Sequence, residues 1–205
     1  MLAGIPLLFA MQQFAEGFVW LSLSGNENYL SAQLSTNLFL TFALIIWPLW
    51  VPLAMLFIEK NNKRRKMLGA ISCMGLLFSI FAIYYLCIKD HGARIAHYHI
   101  HYDLEVSNRI LLIAGTLYLI PTVGSHFFSS IKLVPFMGFI VLISHIVTRL
   151  FFKDNLLSVW CFFAAVISIT IYFILTRKAI VNDKLSEETE KLPAINVIPS
   201  LINYN

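Results

Sequence analysis

Long apolar blocks are the feature that most constrains the fold of this chain. Six of them alternate with short polar links, so that 59% of the residues are apolar and only 13% are charged. A soluble domain carries about 25% charged residues. Blocks of this length are typical of membrane-spanning helices, and open sheets cannot span lipid because their edges leave backbone groups without hydrogen bonds. The sequence therefore predicts an all-α fold, a polytopic transmembrane helix bundle.

The blocks and the composition also predict how the chain is divided. After Lys178 the sequence becomes charged and poor in apolar residues, which is typical of a segment that cannot bury a core. We expect a transmembrane helical bundle at 1–178 and a cytoplasmic, largely disordered tail at 179–205. Two prolines, Pro48 and Pro52, are expected to bend the second helix. The six predicted spans are residues 2–23, 35–58, 67–88, 109–129, 131–151 and 156–176.

The distribution of basic residues predicts the orientation. Ten of the 15 Lys and Arg residues fall on the side of the link 59–66, the turn near Lys132 and the tail. The positive-inside rule therefore places the N-terminus and the tail in the cytoplasm. Because the basic residues lie in short clusters between apolar blocks, they favour the lipid bilayer as a partner and argue against nucleic acid, despite a net charge of +4.

Polar residues inside the predicted spans mark a candidate site near the external face. Gln12 and Glu16 are one helical turn apart in the first span and share a face. His145 and Arg149 have the same spacing in the fifth span, at a similar depth, and a Glu–Arg or Glu–His pair would lower the cost of burying the carboxylate. Two interpretations stay open: a static polar clamp between helices, or a site for a ligand, a proton or a metal ion.

The link between the third and fourth spans is rich in histidine. It contains His97, His99, His101 and Asp103. In an extended conformation the three histidines project to one side, whereas in a helix only His97 and His101 share a face. Imidazole suits a divalent metal ion such as zinc, and the carboxylate can add a ligand or orient a ring. The alternatives are a solvated turn or a pH-responsive cap over the bundle.

Four segments give the chain a resemblance to a known family. They are Ile-Pro-Leu-Leu-Phe at 5–9, Gln-Gln-Phe-Ala-Glu-Gly-Phe-Val-Trp-Leu-Ser at 12–22, Trp-Pro-Leu-Trp-Val-Pro at 47–52 and Ser-Val-Trp-Cys-Phe-Phe-Ala-Ala at 158–165. Together they resemble a family of small bacterial integral membrane proteins without a known function. The resemblance implies a bacterial inner-membrane location and supplies no catalytic residues. Members begin with a further helix opening Met-Cys-Phe-Ser-Ala, which implies seven helices if one is missing here.

Three functions compete at this point. The first is a non-enzymatic bundle that binds or moves a small solute, a proton or a metal ion. The second is a membrane-embedded metal-dependent lipid hydrolase, although the sixth span has no histidine and thus lacks the His-x-x-x-His pair of such enzymes. The third is a sensor or assembly subunit. No P-loop, nucleophile elbow or zincin motif occurs, so we favour a non-enzyme. The sequence identifies no protein partner and leaves a homo-oligomer open.

Overall fold

The computed structural model describes residues 4–25, 29–131, 133–152, 155–169 and Tyr172. Within these residues the chain is helical apart from one antiparallel β-hairpin. The predicted tail at 179–205 and most of residues 170–178 lie outside this description. The elements in chain order are α1 Ile5–Ser24, α2 Tyr29–Leu40, a π-helical segment Thr41–Ile46, α3 Trp47–Ile58, α4 Asn62–Ile88, β1 His91–Ala96, β2 His99–Leu104, α5 Asn108–Thr122, a 3-10 helix Gly124–Phe128, α6 Leu133–Phe151 and α7 Leu156–Ile169.

Four of these helical stretches are long and apolar enough to cross a membrane. The all-α, membrane-type prediction therefore holds for the middle of the chain, but the structure does not support all six spans. Helix α1 contains Gln12, Gln13 and Glu16, which lower its hydropathy, and the described part of α7 has fewer than 18 residues. The four stretches are Leu30–Ile58, which runs through α2, the π segment and α3, Asn62–Ile88, Arg109–Phe128 and Leu133–Phe151.

Two predicted links are shorter in the structure than in the sequence analysis. Helix α2 begins at Tyr29 instead of residue 35, and within it the Ser35 hydroxyl donates to the Ser31 carbonyl at 2.9 Å. Helix α4 begins at Asn62 instead of residue 67, because the Asn61 side chain accepts from the first backbone N–H groups of the helix. Polar and basic residues assigned to links thus occupy the first turns of helices.

A π-helical segment, Thr41–Ile46, lies directly before the prolines at which the sequence predicts a bend. The Ile45 carbonyl of this segment accepts a hydrogen bond from the Ser79 hydroxyl of α4 at 2.8 Å. Because Pro52 has no N–H, it cannot donate to the Pro48 carbonyl as a helix requires. That carbonyl faces Gly75 of α4, where a Cβ would lie only 2.0 Å from the oxygen. Glycine therefore permits the close contact of α3 with α4.

The predicted link 89–108 contains the β-hairpin, which corrects the purely helical prediction. Strands β1 and β2 pair antiparallel from His91 opposite Leu104 to Ala96 opposite His99. Alternate residues of β2, Ile100 and Tyr102, are buried. They join a core cluster with residues of α1, the α2–α3 helix and α7, among them Ala15, Val19, Phe39, Leu40, Ala43 and Cys161. The hairpin thus packs on one end of the helices.

At the opposite end, Glu59 joins two turns of the chain. Its side chain is only 2% exposed, and its oxygens accept from Ser130 N and Oγ, both at 2.6 Å, and from Asn61 N at 2.8 Å. Arg64 adds a 2.7 Å bond to the Ser129 carbonyl. These contacts bring the turn after α3 to the turn before α6, as the predicted topology requires. The same hydrogen bonds, Ser130 first, lower the pKa of Glu59 from 4.5 to about 2.

Candidate functional site

A group of buried polar side chains lies beneath the hairpin, and we call it the polar cluster. It combines residues from α1, α3, β2 and α7, which are far apart in the sequence. The helices supply most of its members, and the hairpin supplies the residue that lies over them. The members are Gln12, Glu16, Trp47, Tyr102, Ser158 and Cys161, each at most 8% exposed.

Gln12 holds three helices together at the inner edge of the polar cluster. Its side chain is fully buried. The amide nitrogen donates to the Cys161 sulfur of α7 at 3.0 Å, and the Trp47 indole nitrogen of α3 donates to the amide oxygen at 2.5 Å. Both ends of the amide are therefore engaged by protein, which fixes the side chain. Gln12 is best explained as a positioning residue that holds α1 with the face of Glu16 turned inward.

Glu16 differs from Gln12 because its carboxylate is only partly satisfied. The Gln13 amide donates to one oxygen at 3.4 Å, and the hydroxyls of Ser158 and Tyr102 lie beside the group. Even so, Glu16 Oε1 and the Tyr102 hydroxyl are both buried without a hydrogen-bond partner of good geometry among the described residues. No ion pair reaches Glu16 from any described Lys, Arg or His. A buried carboxylate with a spare acceptor can take up a proton or a cation, and it can also be part of a static polar clamp.

Tyr102 is the member of the polar cluster that comes from the hairpin. Its ring stacks on Phe39 with centroids 4.5 Å apart and an interplanar angle of 2°. Burial, and to a lesser extent the charge of Glu16, raises the pKa of Tyr102 above its usual value. The side chain therefore remains a neutral hydroxyl beside the carboxylate. Its position means that access to Glu16 from the hairpin side depends on where β2 lies.

Besides its buried face, the hairpin makes polar and aromatic contacts with the helices at its two sides. The His91 ring joins the Lys89 carbonyl at 2.9 Å to the Asn37 side-chain oxygen of α2 at 2.5 Å. Gln33, one turn earlier in α2, donates to the His91 carbonyl at 3.2 Å. On the other side, the His99 ring meets Phe152 edge to face, with centroids 5.2 Å apart. The hairpin thus bridges the start of the α2 helix and the end of α6.

The structure does not bring His145 and Arg149 to the polar cluster. His145 is buried and packs edge to face on Trp160, with ring centroids 4.7 Å apart. Arg149 is exposed, and among the described residues no ion pair joins Glu16 to either side chain. The predicted Glu–Arg or Glu–His pair is therefore wrong in its partners. Spacing placed all of these residues at a similar depth, but it could not say which face each helix turns toward α1.

The hairpin histidines are only partly arranged as expected for an extended segment. His99 and His101 alternate with buried residues on β2, whereas His97 lies in the turn with a φ of 57°. Asp103 pairs with Arg94 at 3.0 Å and with His101 at 3.1 Å. No group of three or more His, Cys, Asp or Glu side chains in the described ranges has the arrangement of a metal site. Of the four residues, the structure thus joins His101 to Asp103 and does not bring three or more together.

Several members of the polar cluster were missed by sequence reasoning. Ser158 and Cys161 sit in an apolar block where serine and cysteine ordinarily pack between helices. Neither Trp47 nor Tyr102 was predicted to contribute to a site. The available signal was the alternation of Ile100 and Tyr102 with the histidines, which is the pattern of a strand with one buried face.

A comparison with protein-family models assigns the chain to a family. Residues 1–185 match DUF6629, described as a family of unknown function. The match covers most of the 205 residues. The chain belongs to this family. No curated protein and no solved structure matches it. The DUF6629 match spans every residue of the polar cluster, the whole hairpin and the Glu59 turn, so the site lies inside the part that defines the family.

Proposed function

We propose that this DUF6629 chain is a multi-pass integral membrane protein that binds or moves a proton or another small solute at Glu16. The observation that carries the proposal is a buried carboxylate without an ion-pair partner, whose Oε1 makes no hydrogen bond of good geometry among the described residues although the Ser158 and Tyr102 hydroxyls lie beside it. Leaving such an acceptor unsatisfied costs about 1–3 kcal/mol, and more for a charged group. Binding a proton or a small cation removes that cost.

The chemistry around Glu16 favours a proton or a small cation over a divalent metal ion. The neighbouring side chains of Gln13, Ser158 and Tyr102 are neutral and offer an amide and hydroxyls. Divalent metals in proteins usually require three or more protein ligands, and the described residues form no such group. A single carboxylate with neutral oxygens at its side can accept a proton, or take a monovalent or organic cation through hydrogen bonds.

The hairpin serves as the cover of this site. Tyr102 and Ile100 are buried on the bundle side of β2 and pack into the core cluster with Phe39. The polar and aromatic contacts at the two sides of the hairpin, His91 with α2 and His99 with Phe152, lie at the edge of the structure, so opening must also expose the buried face of β2. Displacing the hairpin would uncover Glu16 to the side on which β1 and β2 lie.

The membrane placement in this proposal extends the four apolar helices to six crossings by adding α1 and α7. The five basic residues at 60–66 then mark the cytoplasmic side. The hairpin is placed on the external side, and the N-terminus and the tail in the cytoplasm of a bacterial inner membrane. We also propose that DUF6629 is the family that the four sequence motifs resemble. A polar side chain in α1 is tolerated because the polar cluster faces the interior of the bundle.

Proton flux through liposomes tests the proposal. The purified chain is reconstituted into vesicles that contain a pH-sensitive dye, and a potassium diffusion potential drives protons across the bilayer. Wild type is compared with Glu16→Gln and with Glu105→Gln, which removes an exposed carboxylate next to the hairpin. We expect Glu16→Gln to abolish the flux and Glu105→Gln to keep it.

A second measurement tests whether the solute is a cation other than a proton. The unfolding temperature of each variant is measured with rising sodium, potassium or ammonium, because a bound ligand stabilises the folded state. A shift seen in wild type and Glu105→Gln but lost in Glu16→Gln supports a cation site. If neither proton flux nor cation stabilisation depends on Glu16, the carboxylate is a static clamp and the proposal is wrong.

A further inference from the structure

A cluster of cations occupies the end of the structure opposite the hairpin. Five basic residues follow α3 directly and enter the first turns of α4, and all five are exposed. We call residues 60–66 the basic turn. It joins two helices that are long and apolar enough to cross a membrane, so on the proposed placement its side chains lie at the height of the lipid headgroups. The five residues are Lys60, Lys63, Arg64, Arg65 and Lys66.

The carboxylate that precedes the basic turn is turned away from these cations. Glu59 is 2% exposed, and both its oxygens accept hydrogen bonds from Ser130. The described part of the chain has one Arg or Lys ion pair, Arg94 with Asp103 on the hairpin. None of the five cations therefore has a carboxylate partner there. The fold buries the local carboxylate and leaves the five cationic residues exposed, with Arg64 and Arg65 also donating to backbone carbonyls.

Local hydrogen bonds also fix the shape of the basic turn. The Asn61 side chain accepts from the backbone of Lys63 and Arg64 at 3.0 and 3.3 Å, so these N–H groups are already occupied. Arg64 additionally reaches the Ser129 carbonyl at 2.7 Å. The turn is thus held against the start of α6. Its capacity to attract an anion comes from the side-chain cations.

We infer that the basic turn binds the phosphate groups of anionic lipids on the cytoplasmic leaflet. Lysine ammonium and guanidinium groups are the usual phosphate partners in proteins, and juxtamembrane clusters of them favour anionic headgroups. A lipid fits better than free phosphate because Phe57 and Met67, on the helices either side, are 68% and 48% exposed. These side chains offer an apolar surface for acyl chains next to the cations.

Competitive lipid binding to the purified full chain tests this inference. Native mass spectrometry in detergent measures the ratio of bound phosphatidylglycerol to bound phosphatidylcholine. The test variant replaces Lys60, Lys63 and Lys66 by Gln, none of which makes a side-chain contact that folding needs in the described residues. The matched control, Lys89→Gln, removes an exposed lysine at the hairpin end. Each cation near an anionic surface contributes about fivefold, so we expect the triple variant to lose at least about tenfold of the phosphatidylglycerol preference.

Four outcomes decide the inference. Loss of preference in the triple variant with retention in Lys89→Gln supports it, and weakening of the preference by salt adds support. An unchanged preference in the triple variant overturns it. Equal loss in both variants also overturns it, since the loss would then not depend on the position of the lysines in the basic turn. If inorganic phosphate displaces the lipid at equal concentration, the turn is a phosphate site and the lipid assignment is wrong. Because the readout is headgroup preference, these outcomes do not depend on flux through Glu16.

Discussion

Replacing Gly75 by alanine tests the close contact between α3 and α4 directly. The added Cβ would lie 2.0 Å from the Pro48 oxygen, 2.9 Å from its carbonyl carbon and 3.2 Å from Pro121 Cβ. The obstacle is mainly backbone, which cannot rotate away as a flexible side chain can, so α3 and α4 must separate. Overpacking of this kind costs about 1–3 kcal/mol, and we expect the upper end of that range.

The matched control is Gly69→Ala in the same helix, where nothing lies within 4 Å of the new Cβ. Both substitutions gain about 1 kcal/mol of helix propensity, and this gain cancels in the comparison. The difference between the variants therefore measures the overpacking alone, about 3 kcal/mol, which corresponds to about 6–12 °C in unfolding temperature for a chain of this size. Thermal unfolding in detergent is followed at one scan rate, because such unfolding is often irreversible. If Gly75→Ala unfolds at the same temperature as Gly69→Ala, the proposed contact with the Pro48 carbonyl is wrong.

Two further predictions concern the two ends of the structure. Since its pKa falls from 4.5 to about 2 on folding, Glu59 contributes stability that is fully present above about pH 5 and is lost as the pH falls toward 2. The unfolding temperature of wild type should therefore drop more steeply between about pH 5 and pH 3 than that of Glu59→Gln, and parallel curves would refute this. At the hairpin, His91→Ala removes the link to Asn37 and should speed amide exchange across residues 91–104, whereas Tyr98→Ala, at a residue that is 88% exposed in the turn, should not. Equal exchange in the two variants would show that the link does not hold the hairpin.

The sequence was sufficient for the features that depend on long apolar runs. Block length predicted the helices α4 and α6 and the continuous α2–α3 helix, because twenty apolar residues in succession have few other stable structures in lipid. The sequence also singled out Glu16, since burying a carboxylate inside an apolar block costs free energy whichever way its side chain points. Helix starts were predicted less well, because residues such as Asn61 act through a local cap that hydropathy does not detect.

The composition of the site could not be read from the sequence for a different reason. Glu16 meets Tyr102 and Ser158, which are 86 and 142 positions later in the chain. Such long-range contacts depend on the orientation of each helix about its own axis. A rotation by one residue position would turn Glu16 toward a different neighbouring helix. His145 illustrates the problem, since its depth was suitable but its ring packs on Trp160 instead.

The distance in sequence between Glu16 and its neighbours has a consequence for how the protein is made. Helix α1 leaves the ribosome long before the hairpin and α7 exist, so its carboxylate and amides enter the membrane machinery without the groups that later surround them. Its low hydropathy excludes it from the four helices that could cross on composition alone. On the six-span placement proposed above, α1 would therefore reach the membrane before residues 99–104 and 156–169 have been added. Assembly of the site would then be the last step of biogenesis and not the first.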